Sequence, residues 1–279
     1  MKNQTLKPKE IILVLDPGDE LAEFYRSQIP EFVKILISER KGLSSARNTG
    51  VNHSTGEIVA FIDDDAMADK KWIEQLAPVY DEFEVVGVGG TTISKWEDKR
   101  PFWFPEELDW IVGCSYKGQP SLRATIRNPI GCNMSFRRLV FEKVGLFRED
   151  IGRFGTTPLG DEETEFSIRV LNKIPFSKIV HLPSAIVYHK VTKNRGRLKY
   201  LWTRSFYEGI SKATITHKFG RSEALSTEDQ YMKYLFSIGI PSKLKKIYKL
   251  ENIGKLFALF LSMFGVFAGF IVGRIIRRG

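Results

Sequence analysis

The feature that most constrains this chain is a run of three aspartates, Asp63, Asp64 and Asp65, directly after the apolar segment at residues 57–62. Three adjacent carboxylates repel one another, so a fold keeps them together when a cation or hydrogen bonds within a turn compensate their charge. Carboxylate oxygens are the hard ligands that Mg²⁺ or Mn²⁺ prefers, and such a cation would bridge the phosphates of a nucleotide. The alternative is a solvated acidic turn, but the place of the run at the end of an apolar strand favours the metal site.

Short β-branched runs alternate with helical patterns along the first ninety residues of the chain. Strands are predicted at residues 10–16, 33–38, 57–65 and 84–90, and helices at residues 21–28, 44–51 and 70–80. This alternation predicts an α/β fold with a mostly parallel, Rossmann-like sheet and flanking helices. Ligands of such sheets bind beyond the carboxyl ends of the strands, where Asp16 and the three aspartates fall.

The net charge of +9 indicates an anionic partner, which could be a nucleic acid, a phosphorylated substrate or a membrane surface. We expect no nucleic-acid partner, because the sequence has no zinc-finger, helix-turn-helix or RNP-like pattern. The two cysteines, Cys114 and Cys132, are far from any CxxC pattern. Their spacing argues against a structural zinc site and against a disulfide framework.

Near the C-terminus, residues 256–273 form eighteen consecutive residues without a charge, flanked by Lys255 and Arg274. A helix of this length is about 27 Å long, close to the hydrocarbon thickness of a bilayer. A buried core helix is the alternative, but basic residues on both sides favour a single-pass transmembrane helix. The denser basic cluster precedes the helix, which indicates a cell-membrane location with the catalytic domain on the cytoplasmic side. We expect a chain cut before Leu256 to leave the membrane with its α/β domain folded.

The stretch ERKGLSSARNTGVNHSTGEIVAFIDDDA, residues 39–66, closely resembles glycosyltransferase family 2. The resemblance implies a GT-A fold, which is a nucleotide-binding α/β domain with an Asp-x-Asp motif, and it implies dependence on Mg²⁺ or Mn²⁺. By the resemblance, Asp63 would lie near the ribose and base of a nucleotide-sugar donor, and Asp65 would bind the metal. Asp64, between them, is a further donor-binding candidate. Arg47 would lie near the donor diphosphate or brace the loop.

The resemblance continues on the acceptor side, in RNPIGCNMSFRRLVFEKVGLF at residues 127–147 and GDEETEFSIRV at residues 160–170. In the family, a carboxylate that opens the acceptor helix acts as general base. An inverting transfer requires such a base, because the acceptor oxygen loses its proton as it attacks. Alignment on the family motif indicates Glu163 as the base, with Asp161 and Glu162 as competitors. Acids at a helix start are also good capping residues, which is the structural alternative for any one of them.

Three basic or imidazole side chains and one acid complete the set that the resemblance implies. His189 would be a further metal ligand, although a single histidine is more often structural. Arg195 and Arg197 would hold the diphosphate leaving group. Asp16 would belong to the pocket for the nucleotide base.

A narrower resemblance is carried by WFPEELDWIVGCSYKG and SFYEGISKATITHKFG, at residues 103–118 and 205–220. These segments resemble archaeal family 2 enzymes that build dolichyl-phosphate-linked glycans for protein N-glycosylation. The resemblance implies hexosyl or glucuronosyl transfer from a nucleotide-sugar donor to a lipid-linked acceptor at a membrane. A polyisoprenyl phosphate held at the bilayer surface is an anion, which would account for the basic charge of the chain.

These patterns predict three segments: a GT-A domain at residues 1–220, a basic juxtamembrane segment at residues 221–254, and a transmembrane helix with a short basic tail at residues 255–279. Family 2 domains open with a strand ending in Pro-Thr-Tyr-Asn, and nothing similar precedes Glu10. We therefore expect the domain to lack one interior strand and most of one helix, about 20–30 residues. The alternative function is accordingly a truncated, catalytically impaired, membrane-bound protein that binds nucleotide sugars.

Overall fold

Apolar runs form strands and amphipathic runs form helices largely where the sequence predicts them. The computed structural model describes residues 1–19, 27–152 and 159–276. The helix predicted at residues 21–28 therefore lies mostly outside the described residues. Strands are β1 (Ile11–Leu15), β2 (Val33–Ile37), β3 (Ile58–Phe61), β4 (Ala66–Ala68), β5 (Val85–Trp96), β6 (Ala124–Ile126), β7 (Met134–Arg137) and β8 (Lys178–Val191).

The helices lie between and after these strands. They are α1 (Leu43–His53), α2 (Trp72–Leu76), α3 (Arg138–Val144), α4 (Glu162–Lys173), α5 (Leu198–Phe219), α6 (Arg221–Ala224), α7 (Ser226–Tyr234), α8 (Ile240–Leu244) and α9 (Leu250–Ile276). Short 3₁₀ helices at Ala77–Asp81, Glu106–Val112 and Lys193–Gly196 connect some of them, and a π-helical turn at Leu235–Gly239 links α7 to α8. The residue patterns that predicted one amphipathic helix at 70–80 thus give α2 followed by a 3₁₀ turn.

The strands form two sheets. β1 and β2 make a parallel pair, and the larger sheet has the order β3-β7-β5-β8-β4, with β6 also paired to β8. Within the larger sheet β5 and β8 are parallel, whereas β7 is antiparallel to both β3 and β5. The larger sheet is therefore mixed, not mostly parallel as expected. The reason is that the chain leaves β5, passes through residues 97–133, and re-enters the sheet at the same end as β7, which therefore runs opposite to β5.

A large open cleft, of about 2200 Å³, runs between the two sheets and across the ends of their strands. Both β1 and β3 line it, and among the described residues each of these strands has one edge without a partner strand. The cleft therefore lies beside the unpaired edges of both strands.

Aromatic packing fixes the start of α4 beside this cleft. The ring of Phe166 on α4 is fully buried, with its centroid 4.5 Å from that of Phe147 and 5.0 Å from those of Phe136 and Phe141. Because these rings come from β7, from α3 and from the residues after α3, they tie α4 to the larger sheet. The acids that open α4 are held at the cleft as a result.

Helices α5 and α9 run side by side in the same direction and touch through small residues. Ser205 and Ser262 share a hydrogen bond of 2.9 Å. A side-chain carbon on Gly269 would come within 1.8 Å of the carbonyl oxygen of Phe206, so only glycine allows this approach. Gly209 and Gly273 meet the partner helix in the same way. By length and composition α9 could cross a membrane, and it is firmly docked on α5.

Candidate active site

Strand pairing brings the aspartate run to a histidine far along the chain. β4 pairs with β8 in a register that sets Ala66 opposite His189, so Asp65 lies beside the imidazole. Asp65 Oδ1 is 3.1 Å from His189 Nε2, and Asp65 Oδ2 accepts a hydrogen bond of 3.1 Å from Arg195 Nη2. The sequence-predicted metal ligands Asp65 and His189 thus lie together, with Arg195 against them.

The electrostatics of the two outer aspartates differ. Burial alone would raise the pKa of the Asp65 carboxyl, but the hydrogen bond and charge of His189, with Arg195, outweigh it and lower that pKa. The pKa of Asp63 is raised, because burial and the charge of Asp65 prevail over the attraction of Arg47. A divalent cation would supply the missing positive charge between the two carboxylates.

Four side chains at this point of the cleft carry atoms that could bind a cation. Ligand atoms of Asp63, His189 and Cys132 all lie within 4.8 Å of one another, and the carboxylate of Asp65 lies beside His189. Burial raises the pKa of the Cys132 thiol to about 12, so it stays protonated and is a poor ligand for a hard cation. The set that fits Mg²⁺ or Mn²⁺ is therefore two carboxylates, Asp63 and Asp65, with the imidazole of His189.

Arg47 joins the donor side of the cleft to the acceptor side. Its guanidinium donates a hydrogen bond of 2.6 Å to Glu162 Oε1 and one of 3.2 Å to the carbonyl oxygen of Gly131, and it lies 3.5 Å from Asp63 Oδ1. Burial alone would lower the pKa of Arg47, but the charges of Glu162 and Asp63 raise it, so the group stays charged. These contacts link the two sides of the cleft, and both roles predicted for Arg47, beside the donor diphosphate or as a brace, stay predictions.

The three acids at the start of α4 have different neighbours. Asp161 accepts a hydrogen bond of 2.6 Å from Lys212 Nζ, and Glu162 is paired with Arg47. Glu163 lines the cleft and, within the described ranges of the chain, forms no ion pair. Burial, and next the charges of Glu162 and Asp161, raise the pKa of Glu163 well above its ordinary value. Burial also raises the pKa of Asp161, to about 6, but its carboxylate is held by Lys212. Of the three, Glu163 alone lines the cleft without an ion pair to a described residue.

The structure brings nearly all of the sequence-predicted site residues to one cleft. Its lining includes Asp16, Arg47, Asp63, Asp64, Asp65, Asp161, Glu162, Glu163, His189 and Arg195. Asp64 is exposed, and Asp16 accepts a hydrogen bond of 3.2 Å from the backbone N–H of Gly42. Arg197 is the exception: it is exposed at the start of α5 and lies outside the lining.

The model of the family described as glycosyl transferase family 2 matches residues 1–145, which is more than half of the chain. The chain belongs to glycosyl transferase family 2. It is therefore a glycosyltransferase, and its α/β architecture with a mixed sheet is the GT-A type that the sequence predicted.

Relatives of this family 2 enzyme include a curated archaeal protein. The chain is 33% identical over 279 residues to the glucosyl-dolichyl phosphate glucuronosyltransferase of Haloferax volcanii, covering 97% of this chain and 88% of the relative. It is 26% identical over 191 residues to the succinoglycan biosynthesis protein ExoM of Rhizobium meliloti, covering 68% of this chain and 58% of that protein. A crystal structure of GalNAc-T7 with UDP, GalNAc and Mn²⁺ is similar over 82% of this chain and 50% of its own, with a TM-score of 0.49 and 16% identity.

Sequence reasoning missed a buried ion cluster behind the acids of α4. Lys212 on α5 lies 2.6 Å from Asp161, 3.2 Å from Glu208 and 2.9 Å from Glu228. Arg127 completes the cluster through two hydrogen bonds to Glu228, of 2.7 and 3.0 Å. Burial alone would lower the pKa of Lys212, but the three carboxylates raise it well above its ordinary value. The spacing of Glu208 and Lys212, four residues apart on one helix, could have indicated an ion pair. Nothing in the sequence distinguished Glu228 from the other acidic residues as a member of the cluster.

Proposed function

We propose that this enzyme is an inverting, divalent-metal-dependent glycosyltransferase that moves a sugar from a nucleotide-sugar donor to a lipid-linked acceptor. The observation that carries the proposal is the contrast at the start of α4. Asp161 and Glu162 each form a buried ion pair, with Lys212 and with Arg47, whereas Glu163 lines the cleft and forms no ion pair with any described residue. A single acid of this kind suits a one-step displacement that needs one base.

In the proposed reaction, the acceptor hydroxyl lies against Glu163, which takes its proton as the oxygen attacks the anomeric carbon. The bond from that carbon to the donor diphosphate breaks, and the nucleoside diphosphate leaves. Asp63, Asp65 and His189 would hold the cation, which when bound neutralises the diphosphate. Arg195, 3.1 Å from Asp65, adds a second positive charge on the leaving-group side. Arg197 drops out of the donor set because it does not line the cleft.

The acceptor assignment is supported by a relative and by the surface of the protein. The Haloferax volcanii relative is named as a glucuronosyltransferase that acts on glucosyl-dolichyl phosphate. The apolar helix α9 and the net charge of +9 suit an anionic lipid at a membrane. We therefore propose a polyisoprenyl-phosphate-linked acceptor used in glycan assembly for protein N-glycosylation, on the cytoplasmic side of the cell membrane.

The test is a donor screen with the full chain. Each of a panel of nucleotide sugars is incubated with Mn²⁺ or Mg²⁺ and a polyisoprenyl phosphate that carries one sugar. We expect transfer from one donor class, loss of transfer in chelator, and recovery when excess metal is restored. Absence of both donor binding and transfer across the panel would contradict the proposal.

A second candidate, a protein that binds nucleotide sugars without turnover, is favoured by one observation. Among the described residues the β1–β2 pair has no strand-to-strand hydrogen bonds to the larger sheet, and the cleft lies between them. Asp16, at the end of β1, therefore belongs to a different sheet from the strands β4 and β8, which position Asp65 and His189. Calorimetry separates the candidates: tight donor binding with no transfer to any lipid acceptor would favour the second.

A further inference from the structure

One face of α9 carries an unbroken apolar stripe that no described part of the protein covers. Its side chains are 42–73% exposed and recur every three or four residues, as on one face of a helix. They are Leu250, Ile253, Phe257, Phe260, Phe264, Phe267, Ile271 and Ile275. The opposite face, with Leu256, Ser262 and Gly269 among others, is buried against α5 and its neighbours. Such a two-faced helix is neither a core helix nor one surrounded by lipid.

The neighbour of α9 is incompatible with a helix that crosses a bilayer. α5 accompanies α9 from the contact of Ser205 with Ser262 to the contact of Ala213 with Gly273. Over this same length α5 carries Glu208 and Lys212, which belong to the buried ion cluster of the catalytic cleft. If α9 stood along the membrane normal, this cluster and the cleft beside it would lie at the depth of the hydrocarbon. Charged groups are costly there.

We propose that α9 lies in the plane of the membrane surface, with its apolar stripe in the outer hydrocarbon of one leaflet and the catalytic domain in water. The occupant of the stripe is a phospholipid surface that contains anionic headgroups. The charges support this choice, since Lys245, Lys246 and Lys249 precede α9 and Arg274 lies in its last turn, all of them exposed. Basic residues beside an apolar helix face are what an interfacial helix presents to anionic lipid. In this proposal α9 attaches to one leaflet, whereas the sequence analysis expects a single-pass span, for which α9 is long and apolar enough.

This orientation also connects the lipid surface to the reaction site. Phe267 belongs to the stripe and also lines the catalytic cleft. Its neighbours Val266 and Phe270, which are not part of the stripe, line the cleft too. A lipid-linked acceptor could then pass from the leaflet into the cleft without leaving the membrane. This last step rests on the proposed function, whereas the in-plane orientation of α9 does not.

The first test compares the two ends of α9 by labelling with a membrane-impermeant maleimide. Lys249→Cys and Arg274→Cys are made separately in the full chain, whose two native cysteines are both buried. Sealed inside-out vesicles are prepared from cells that express each variant. We expect both sites to label equally before and after detergent. Protection of Arg274→Cys until detergent is added would overturn the proposal.

The second test removes apolar side chains from the stripe. Phe257→Ser combined with Phe260→Ser should lower partitioning onto vesicles of phosphatidylcholine and phosphatidylglycerol by at least about tenfold, because each ring leaves the lipid. Phe83→Ser is the matched control, since Phe83 is 94% exposed outside α9, and it should change nothing. Unchanged partitioning of the double variant, with circular dichroism showing it folded, overturns the proposal. Neither test contains a donor or an acceptor, so failure of the proposed function leaves both results intact.

Discussion

At the level of single residues, the chemistry of each acid that opens α4 is set by the group it faces. Lys212 and Arg47 form ion pairs with Asp161 and Glu162, whereas Glu163 forms none with the described residues and is available for proton transfer. The motif in the sequence indicated Glu163 as the base and left Asp161 and Glu162 as competitors, and this assignment stays a prediction. The sequence could not show the ion pairs that distinguish the three acids, because the two cations come from α1 and α5, far along the chain.

Glu163→Gln should lower the transfer rate by about 10²–10⁴, the usual loss on removal of a general base, and should leave donor affinity unchanged. The raised pKa adds a second signature. The protonated form of Glu163 contributes stability that is full below its ordinary value of 4.5 and is lost as pH rises through the raised pKa. Gln cannot ionise, so the melting temperature of the variant relative to wild type should increase as pH rises above that value.

Activity assays and thermal melts between pH 5 and 9, roughly the range in which most buried carboxyls and histidines titrate, test both parts of this prediction. Glu162→Gln is the matched control, because it leaves Arg47 without its closest partner and should lower the melting temperature. Full activity of Glu163→Gln would show that another group is the base.

Asp65 and His189 share one cation in the proposed site, so either substitution to alanine should abolish metal-dependent transfer. Both variants should also lose the tight Mn²⁺ binding of the wild type in the presence of donor, since each removes one ligand. Asp64→Ala is the control, because the Asp64 side chain is exposed and should matter little. Retention of metal-dependent activity by Asp65→Ala would contradict the assignment.

At the level of helices and strands, local pattern predicted most elements but not how distant ones meet. The strands β1, β2, β3 and β5 and the helix α1 could be predicted from the residue pattern. The antiparallel insertion of β7 could not, because it depends on the course of residues 97–133, which carry no regular period. The ion cluster was missed for the same reason, as its members come from the segment before β7, from α4, from α5 and from α7.

Lys212→Met should cost about 3–5 kcal/mol of the free energy of unfolding, because it leaves buried carboxylates without their shared ammonium. Lys212 is the central cation of that cluster and is buried, with 7% of its side chain exposed. Lys199→Met, at an exposed position on the same helix, is the matched control. Urea unfolding of the two variants and wild type measures the difference, and equal midpoints would show that the cluster adds no stability.

At the level of the whole molecule, α9 packs into the core of the folded domain and also carries the surface proposed to contact the membrane. The sequence favoured a detachable anchor, with the α/β domain unaffected by a cut before Leu256. The structure corrects this expectation, because Leu256 and Leu259 are buried in one apolar cluster with Phe104, Leu108 and Leu201. A removed α9 would expose that cluster, and residue spacing alone could not reveal this packing.

We therefore expect a chain ending at residue 255 to be both unattached to membranes and markedly less stable. Loss of two buried leucines and the contacts of α5 should remove several kcal/mol, of the order of 2–5 kcal/mol for each large core side chain. Phe257→Ser with Phe260→Ser is the control, because it lowers attachment without opening the cluster. A truncated chain that melts at the wild-type temperature would contradict the integrated role of α9.

The most direct measurement of the central claim is the stereochemistry of the product. Once the donor screen has identified a nucleotide sugar, the full chain is incubated with it, metal and lipid-linked acceptor, and the new linkage is analysed by the NMR coupling at its anomeric proton. A single displacement assisted by Glu163 predicts a configuration opposite to that of the donor, and no product from Glu163→Gln. A product with the configuration of the donor would contradict the account.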